Sequence, residues 1–238
     1  MNVKLLHAAP ISLLVSGIRQ CYDSGDLSDS KWIQNWIFDD PTWDYTLGPK
    51  DAALIKRIIE SGHDSTLEHV SFTFDINGFS RDVLQEFSRH RVGVSPSVKS
   101  TRYTIKELKD EGTFFLPFSE KFGMLPNLFK AEKYIVLTSD VDIDTCSCRA
   151  LENARLMVVA GKPNDKVKYC LPGAYKTSGQ YTFNVRSLRH LLSLRTSSRA
   201  LWEFQLLCKH LIKEIPEQYM LLFEDVINVE AQNAIGKS

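Results

Sequence analysis

Polar and apolar residues alternate along "VSFTFDI", residues 70–76. Val70, Phe72, Phe74 and Ile76 fall on one side and Ser71, Thr73 and Asp75 on the other. That period of two is the signature of a half-buried strand. Just upstream, "DAALIKRIIESG" carries Leu54, Ile55, Ile58 and Ile59 at helical spacing, and Gly62 stands where a helix C-cap belongs. "NVKLLH" reads as a short first strand and "GQYTFNV" as a later one. Ser80 has the character of an N-cap, and the pattern after it predicts a helix through about Arg91. "CRALENARLMVVAGK", "SLRHLLSLR" and "ALWEFQLLCKHLIKEI" read as further helices, with Pro163 beginning the element that follows the first of them. Residues 105–145 are the least legible: Pro117 and Pro126 punctuate them, and "KAEKYIVLTSD" fits helix or strand. Helices and strands mix without a regular βαβ alternation, which predicts an α+β fold, a mixed sheet flanked by helices, in one domain over residues 1–238.

Composition narrows the classes. At 43% hydrophobic and 24% charged the chain can bury a full core. Lys plus Arg and Asp plus Glu are 29 each, so nothing global favours a polyanion or a membrane surface. No apolar run approaches the roughly 20 residues of a membrane helix, and the first residues lack a basic leader. The expectation is a soluble, cytoplasmic protein. The five cysteines are scattered and odd in number, which argues against a disulfide framework. Cys146 and Cys148 form a lone C-x-C with no second pair, so no structural metal is expected.

Against this neutral background, "SRHRVGVSPSVKSTRYT" gathers Arg89, Arg91, Lys99 and Arg102, with Lys106 close behind. On a helix from Ser80, at about 100° per residue, His90 and Arg91 share the face of Val83, Leu84 and Phe87, while Arg89 projects from the other side. Cations at a helix C-terminus can simply satisfy loose carbonyls. A triplet pointing two ways and running into a Ser/Thr/Lys/Arg loop equally fits a local anion site. In "NVRSLRHLLSLR", Leu188, Leu191, Leu192 and Leu194 make an apolar face with Arg195 near its middle. Arg186, Arg189, His190 and Ser193 take the opposite face. A guanidinium in an apolar stripe needs a partner, either an internal carboxylate such as Glu203 or Glu68, or a ligand. A third group, "GHDSTLEH", holds His63, Asp64, Ser65, Glu68 and His69, but H-x-x-x-x-E-H is not a zinc spacing. Neither G-x-G-x-x-G nor G-x-x-x-x-G-K-[ST] occurs.

In this order the clusters resemble the flavin-dependent thymidylate synthases. Arg89-His90-Arg91 opens the family's R-H-R signature and Ser100-Thr101-Arg102-Tyr103 closes it. "GHDSTLEH", "NVRSLRHLLSLR", "KYCLP" and the N-terminal "IRQCYDS" are similar to further family segments. The resemblance implies methylation of dUMP to dTMP, with methylenetetrahydrofolate as carbon donor and NADPH-reduced FAD as hydride source. It also implies a homotetramer with flavin sites shared between subunits. Carried over residue by residue, it assigns His63, Ser65, Glu68, Arg89, His90, Arg91, Val92, Asn184, Arg186 and His190 to FAD. It assigns Glu86, Phe87, Ser88, Arg89, Lys99, Ser100, Thr101, Arg102, Lys168 and Arg195 to dUMP. Arg195 is implied to favour ionisation of the uracil at N3, and no cysteine nucleophile is expected, since none stands in these motifs.

The chain departs from the pattern in places. Eight residues, Val92 to Lys99, separate Arg91 from Ser100 where the family has seven. The extra residue is expected to bulge "VGVSPS", with Gly93 and Pro96 accommodating it. Glu86, His190 and Lys168 replace a common glutamine, asparagine and arginine. Two other readings compete. A nucleic-acid-binding surface would use the same cations, but zero net charge weighs against it. A protein of this fold without synthase activity would bind flavin or nucleotide and form no dTMP.

Overall fold

The computed structural model describes residues 1–30, 47–119 and 123–227. Four strands form one sheet in the order β1 (Asn2–Ala8), β2 (Ser71–Ser80), β6 (Lys176–Asn184) and β3 (Val94–Val98). A second, antiparallel pair is β4 (Phe115–Ser119) with β5 (Gly123–Pro126). The helices are α1 (Ile11–Cys21), α2 (Pro49–Glu60), α3 (Arg81–Phe87), α4 (Thr101–Thr104), α5 (Leu128–Ala131), α6 (Val141–Val159), α7 (Asn164–Val167), α8 (Val185–Arg195) and α9 (Trp202–Glu214). This is the α+β mix expected. β2 keeps its alternation: Val70, Phe72, Phe74 and Ile76 are fully buried, and Ser71, Thr73 and Asp75 half-buried. Thr73 meets Thr182 of β6 across the ladder, hydroxyl to hydroxyl at 2.9 Å. Pro96 sits in β3, an edge strand, where a missing N–H is tolerated.

The chain divides into two compact units, each made of interleaved segments. The first holds residues 1–2, 76–89 and 97–179, and the second residues 3–75, 90–96 and 180–238. The core of the first packs α6, through Cys148, Leu151, Ala154 and Val158, on Ile105, Leu108, Phe114, Tyr134 and Tyr175. α6 starts earlier than its apolar pattern showed. Asp140 caps it, accepting from the backbone N–H groups of Asp142 and Ile143, and the polar first turn hid that start. The illegible stretch resolves into short pieces, namely a tight helix over 105–110, the β4–β5 pair and the four-residue α5. "KAEKYIVLTSD" is mostly loop, contributing one bridge from Ile135 to Tyr175.

The second unit is built on aromatic contacts. Phe72 meets Tyr219 and Phe223 edge-on, at 5.1 and 5.9 Å between ring centres. α1 and α2 are tied by a buried ion pair, Arg19 Nε donating to Asp51 at 2.9 Å. Burial alone would push the Asp51 carboxyl up. Hydrogen bonds from Ser28, Ser30 and Arg19 outweigh it and hold the group below its ordinary value.

Candidate functional site

In the second unit, three segments distant in sequence come together: the tight helix Asp64–His69, the turn after His90, and the start of α8. The first two lie more than 90 residues from α8 along the chain, and side chains tie each of them to it. Arg186 donates to Glu68 at 2.6 Å, and Ser187 Oγ donates to the Val92 carbonyl at 2.6 Å. α8 begins where it does because Asn184 is its N-cap, accepting from the Ser187 N–H at 2.8 Å. Asn184 N–H in turn donates to the Gly93 carbonyl at 3.0 Å. Gly93 has φ +64°, and a Cβ there would collide with Ser187 Oγ and the Asn184 amide, so the turn requires glycine.

Most of the residues assigned to FAD therefore share this unit. His63, Ser65, Glu68, Arg91, Val92, Arg186 and His190 are exposed, with Asn184 and His90 half-buried. The Tyr22 hydroxyl lies 3.4 Å from His63 Nδ1, which brings in the "IRQCYDS" segment. The pair with Glu68 raises the Arg186 guanidinium above its ordinary value, keeping it charged. The chemistry of this set fits the cofactor that the resemblance implies. Two exposed guanidiniums, Arg91 and Arg186, suit a pyrophosphate. His63 and His190 can hydrogen-bond ring heteroatoms. Among the described residues no three His, Cys, Asp or Glu side chains converge as metal ligands.

Arg195 closes α8. It is half-buried, and two of its partners are a histidine and an aromatic ring. Arg195 Nε donates to His90 Nε2 at 3.2 Å, and its guanidinium carbon lies 5.1 Å from the centre of the Phe204 ring. Glu68, one carboxylate offered for Arg195, is bound by Arg186; Glu203, the other, is buried. Arg189, expected on the polar face, is buried. It donates to both Asp225 carboxylate oxygens at 2.7 Å and to the Leu222 carbonyl. The 217–227 segment covers that side of α8, which helical arithmetic on α8 alone cannot show. Leu194, expected on the apolar face, is 49% exposed.

In the first unit lie most of the residues assigned to dUMP. α3 ends at Phe87, four residues before the expected Arg91, so His90 and Arg91 do not continue its apolar face. The chain turns there to enter β3, with its irregularity at Gly93; residues 94–98 run as a strand and not as a bulged loop. Ser80 caps α3 as expected, its Oγ accepting from Val83 N–H at 3.1 Å. Arg89 is largely exposed, 3.8 Å from Glu86. Ser88 Oγ donates to the Gln85 carbonyl. Phe87 is buried edge-on against Phe79, and Thr101 is buried too, so a ligand contact from either would run through the backbone. Lys99 pairs with Glu107 at 3.3 Å. Ser100 and Arg102 are exposed, the guanidinium of Arg102 resting 5.3 Å from the Tyr103 ring. α4 packs on α7, and Asn164 Nδ2 of α7 donates to the Arg102 carbonyl at 3.0 Å. The Lys168–Cys170 turn continues α7, so Arg102 and Lys168 stand on adjoining elements. All five cysteines are free thiols.

Sequence reasoning missed Phe204, Ser187 and the capping role of Asn184. An asparagine just ahead of the apolar pattern of α8 would have flagged the cap. Nothing in the sequence singled out Phe204 from the apolar face of α9.

Comparison with known proteins identifies the family and the fold. A family model described as "Thymidylate synthase complementing protein" matches residues 4–219. The flavin-dependent thymidylate synthase of Campylobacter jejuni is 38% identical over 233 residues, covering 98% of this chain and 100% of its own. That of Helicobacter pylori strain J99 is 39% identical over 229 residues, covering 95% and 99%. A crystal structure of the Helicobacter pylori flavin-dependent thymidylate synthase, complexed with FAD and dUMP, superposes with a TM-score of 0.82 at 38% identity. It covers 96% of this chain and 100% of that one.

Proposed function

The chain belongs to the flavin-dependent thymidylate synthases, and from that premise we propose that it converts dUMP, methylenetetrahydrofolate, NADPH and a proton to dTMP, tetrahydrofolate and NADP+. The observation that carries this reading is the tie between motifs. The Arg186–Glu68 and Ser187–Val92 hydrogen bonds gather three sequence-distant segments into one exposed basic surface suited to FAD.

Arg102 and Lys168, cations on adjoining elements, hold the nucleotide phosphate, with Ser100 beside them. Lys168 acts as a point charge where an arginine would make a fork. Glu86 and the backbone from Phe87 to Arg89 flank the nucleotide, and Thr101 and Lys99 shape the loop that carries Ser100. Arg195 meets the pyrimidine ring. Its guanidinium stabilises negative charge as N3 ionises, which raises electron density at C5 and makes that carbon the nucleophile for the one-carbon unit. A fixed cation where charge develops lowers the barrier without reorganisation. Arg91 and Arg186 neutralise the pyrophosphate of FAD. His63, Ser65, Glu68, Arg89, His90, Val92, Asn184 and His190 line its rings. When bound and reduced, FAD supplies the hydride that completes the methyl group.

The two interleaved units work as one domain in this reading, and the protein acts as a cytoplasmic homotetramer with shared flavin sites. No helix among the described residues is long and apolar enough to cross a membrane.

The test is dTMP formation assayed with each component omitted in turn, and with Arg195→Ala. The reading expects absolute dependence on FAD, NADPH and methylenetetrahydrofolate, and a loss of about 100- to 1,000-fold in kcat for the variant. Flavin reduction without any dTMP would favour a flavoprotein that lacks synthase activity.

A further inference from the structure

Arg195 does not stand alone at the end of α8. Its Nε–H points at His90 Nε2, and its guanidinium lies over the face of Phe204. The His90 ring packs against Phe204 at 6.2 Å and edge-on against His190 at 6.0 Å. Phe204 itself is fully buried in the first turn of α9. Both contacts, with His90 and with Phe204, constrain the guanidinium. The hydrogen bond fixes its rotation about the Nε bond, and the ring face fixes its plane, since a cation within about 6 Å of an aromatic centroid is held by the ring quadrupole.

From this arrangement we propose that Phe204, which none of the motifs singles out, is a positioning residue for Arg195, and that it works together with a His90 whose Nε2 carries no proton. The inference rests on the synthase reading, in which Arg195 acts on the uracil. The tautomer follows from donor chemistry. A guanidinium has only N–H donors and cannot accept, so Nε2 must offer its lone pair and a neutral ring carries its proton on Nδ1. A guanidinium stem otherwise has several rotamers. Holding it in one lets Arg195 meet a developing charge without paying to order itself during the reaction. His90 thus contributes to orienting Arg195 beyond the flavin contact that the family pattern assigns it.

The experiment replaces Phe204 by Leu and, separately, by ring-fluorinated phenylalanines, which keep the shape while draining electron density from the ring face. Phe204→Leu is expected to lower kcat about tenfold with KM for dUMP within twofold, because the lost orientation matters only as charge develops. Stepwise fluorination should lower kcat stepwise at unchanged melting temperature, a trend that a purely structural phenylalanine would not give. A fluorinated series indistinguishable from wild type overturns the proposal even if Phe204→Leu fails to fold. 15N NMR of histidine-labelled protein reads the His90 tautomer without turnover, and a protonated Nε2 likewise overturns it. The synthase reading fails separately. Wild-type protein that makes no dTMP while His90 Nε2 is unprotonated sinks the reading, and with it any service of Phe204 to turnover, but leaves the local geometry standing.

Discussion

Arg189 and Arg195 stand six residues apart on one helix and do opposite work. Arg189 is buried and spends its fork on Asp225 and the Leu222 carbonyl, so it anchors the 217–227 segment to α8. Arg189→Met should leave the chemistry's residues untouched and cost about 2 kcal/mol. That is less than for a fully buried pair, because Asp225 is half exposed and rehydrates. A thermal melt should show a fall of roughly 4–8 °C for a chain of this size; no change would mean that the fork carries no stability. Arg195, in contrast, donates to His90 and lies over the face of Phe204. Sequence arithmetic put Arg195 on the apolar face and Arg189 on the polar one. It failed for Arg189 because the covering segment arrives from more than 30 residues downstream, which no helical wheel contains. The family resemblance placed Glu68 among the flavin residues yet could not say that Arg186 binds it, since that contact spans 118 positions.

Elements were legible where one periodicity ran unbroken. β2, α2 and α9 follow their apolar patterns, and α8 follows its own except at Arg189 and Leu194. α3 was overextended. Its pattern continues through His90, but the chain turns away at Ser88 to reach β3, and Gly93 takes the left-handed conformation that the turn needs. Gly93→Ala tests that turn. The new methyl meets Ser187 Oγ and Asn184, and φ +64° is strained for alanine, so about 1–3 kcal/mol of stability and most FAD affinity should go. Isothermal titration with FAD checks it, and a variant binding as wild type would show that the turn is dispensable. The 105–145 stretch was opaque because much of it is held by side chains across short pieces. Glu111 there accepts from Lys133 and Tyr134, each at 2.6 Å, and these bonds hold its carboxyl at about 2. A carboxyl depressed from 4.5 to about 2 adds stability above pH 4.5 and loses it as pH falls toward 2. Denaturant melts at pH 6 and pH 3 should therefore show wild type losing more stability on acidification than Glu111→Gln; equal losses would deny the link.

At the scale of the whole molecule, the two interleaved units sort the assigned residues in a way the sequence order hides. The flavin set lies almost wholly in one and most of the nucleotide set in the other, although the R-H-R signature runs through both: Arg89 belongs to the first unit and His90 to the second. The motifs themselves were readable because each is a short, local run of residues. Their grouping was not, because it depends on strands β2, β3 and β6 each contributing residues to both units. Light scattering after gel filtration should give a particle of about four chains of 27.1 kDa, and a monomer would remove the shared flavin site from the account. The measurement that bears most directly on the central claim is an anaerobic single turnover followed by visible absorbance. NADPH should bleach the oxidised-flavin band of the FAD-loaded protein, and dUMP with methylenetetrahydrofolate should restore it with one dTMP formed per flavin reoxidised. A protein that takes up no FAD, or whose bleached band returns without dTMP, would contradict it.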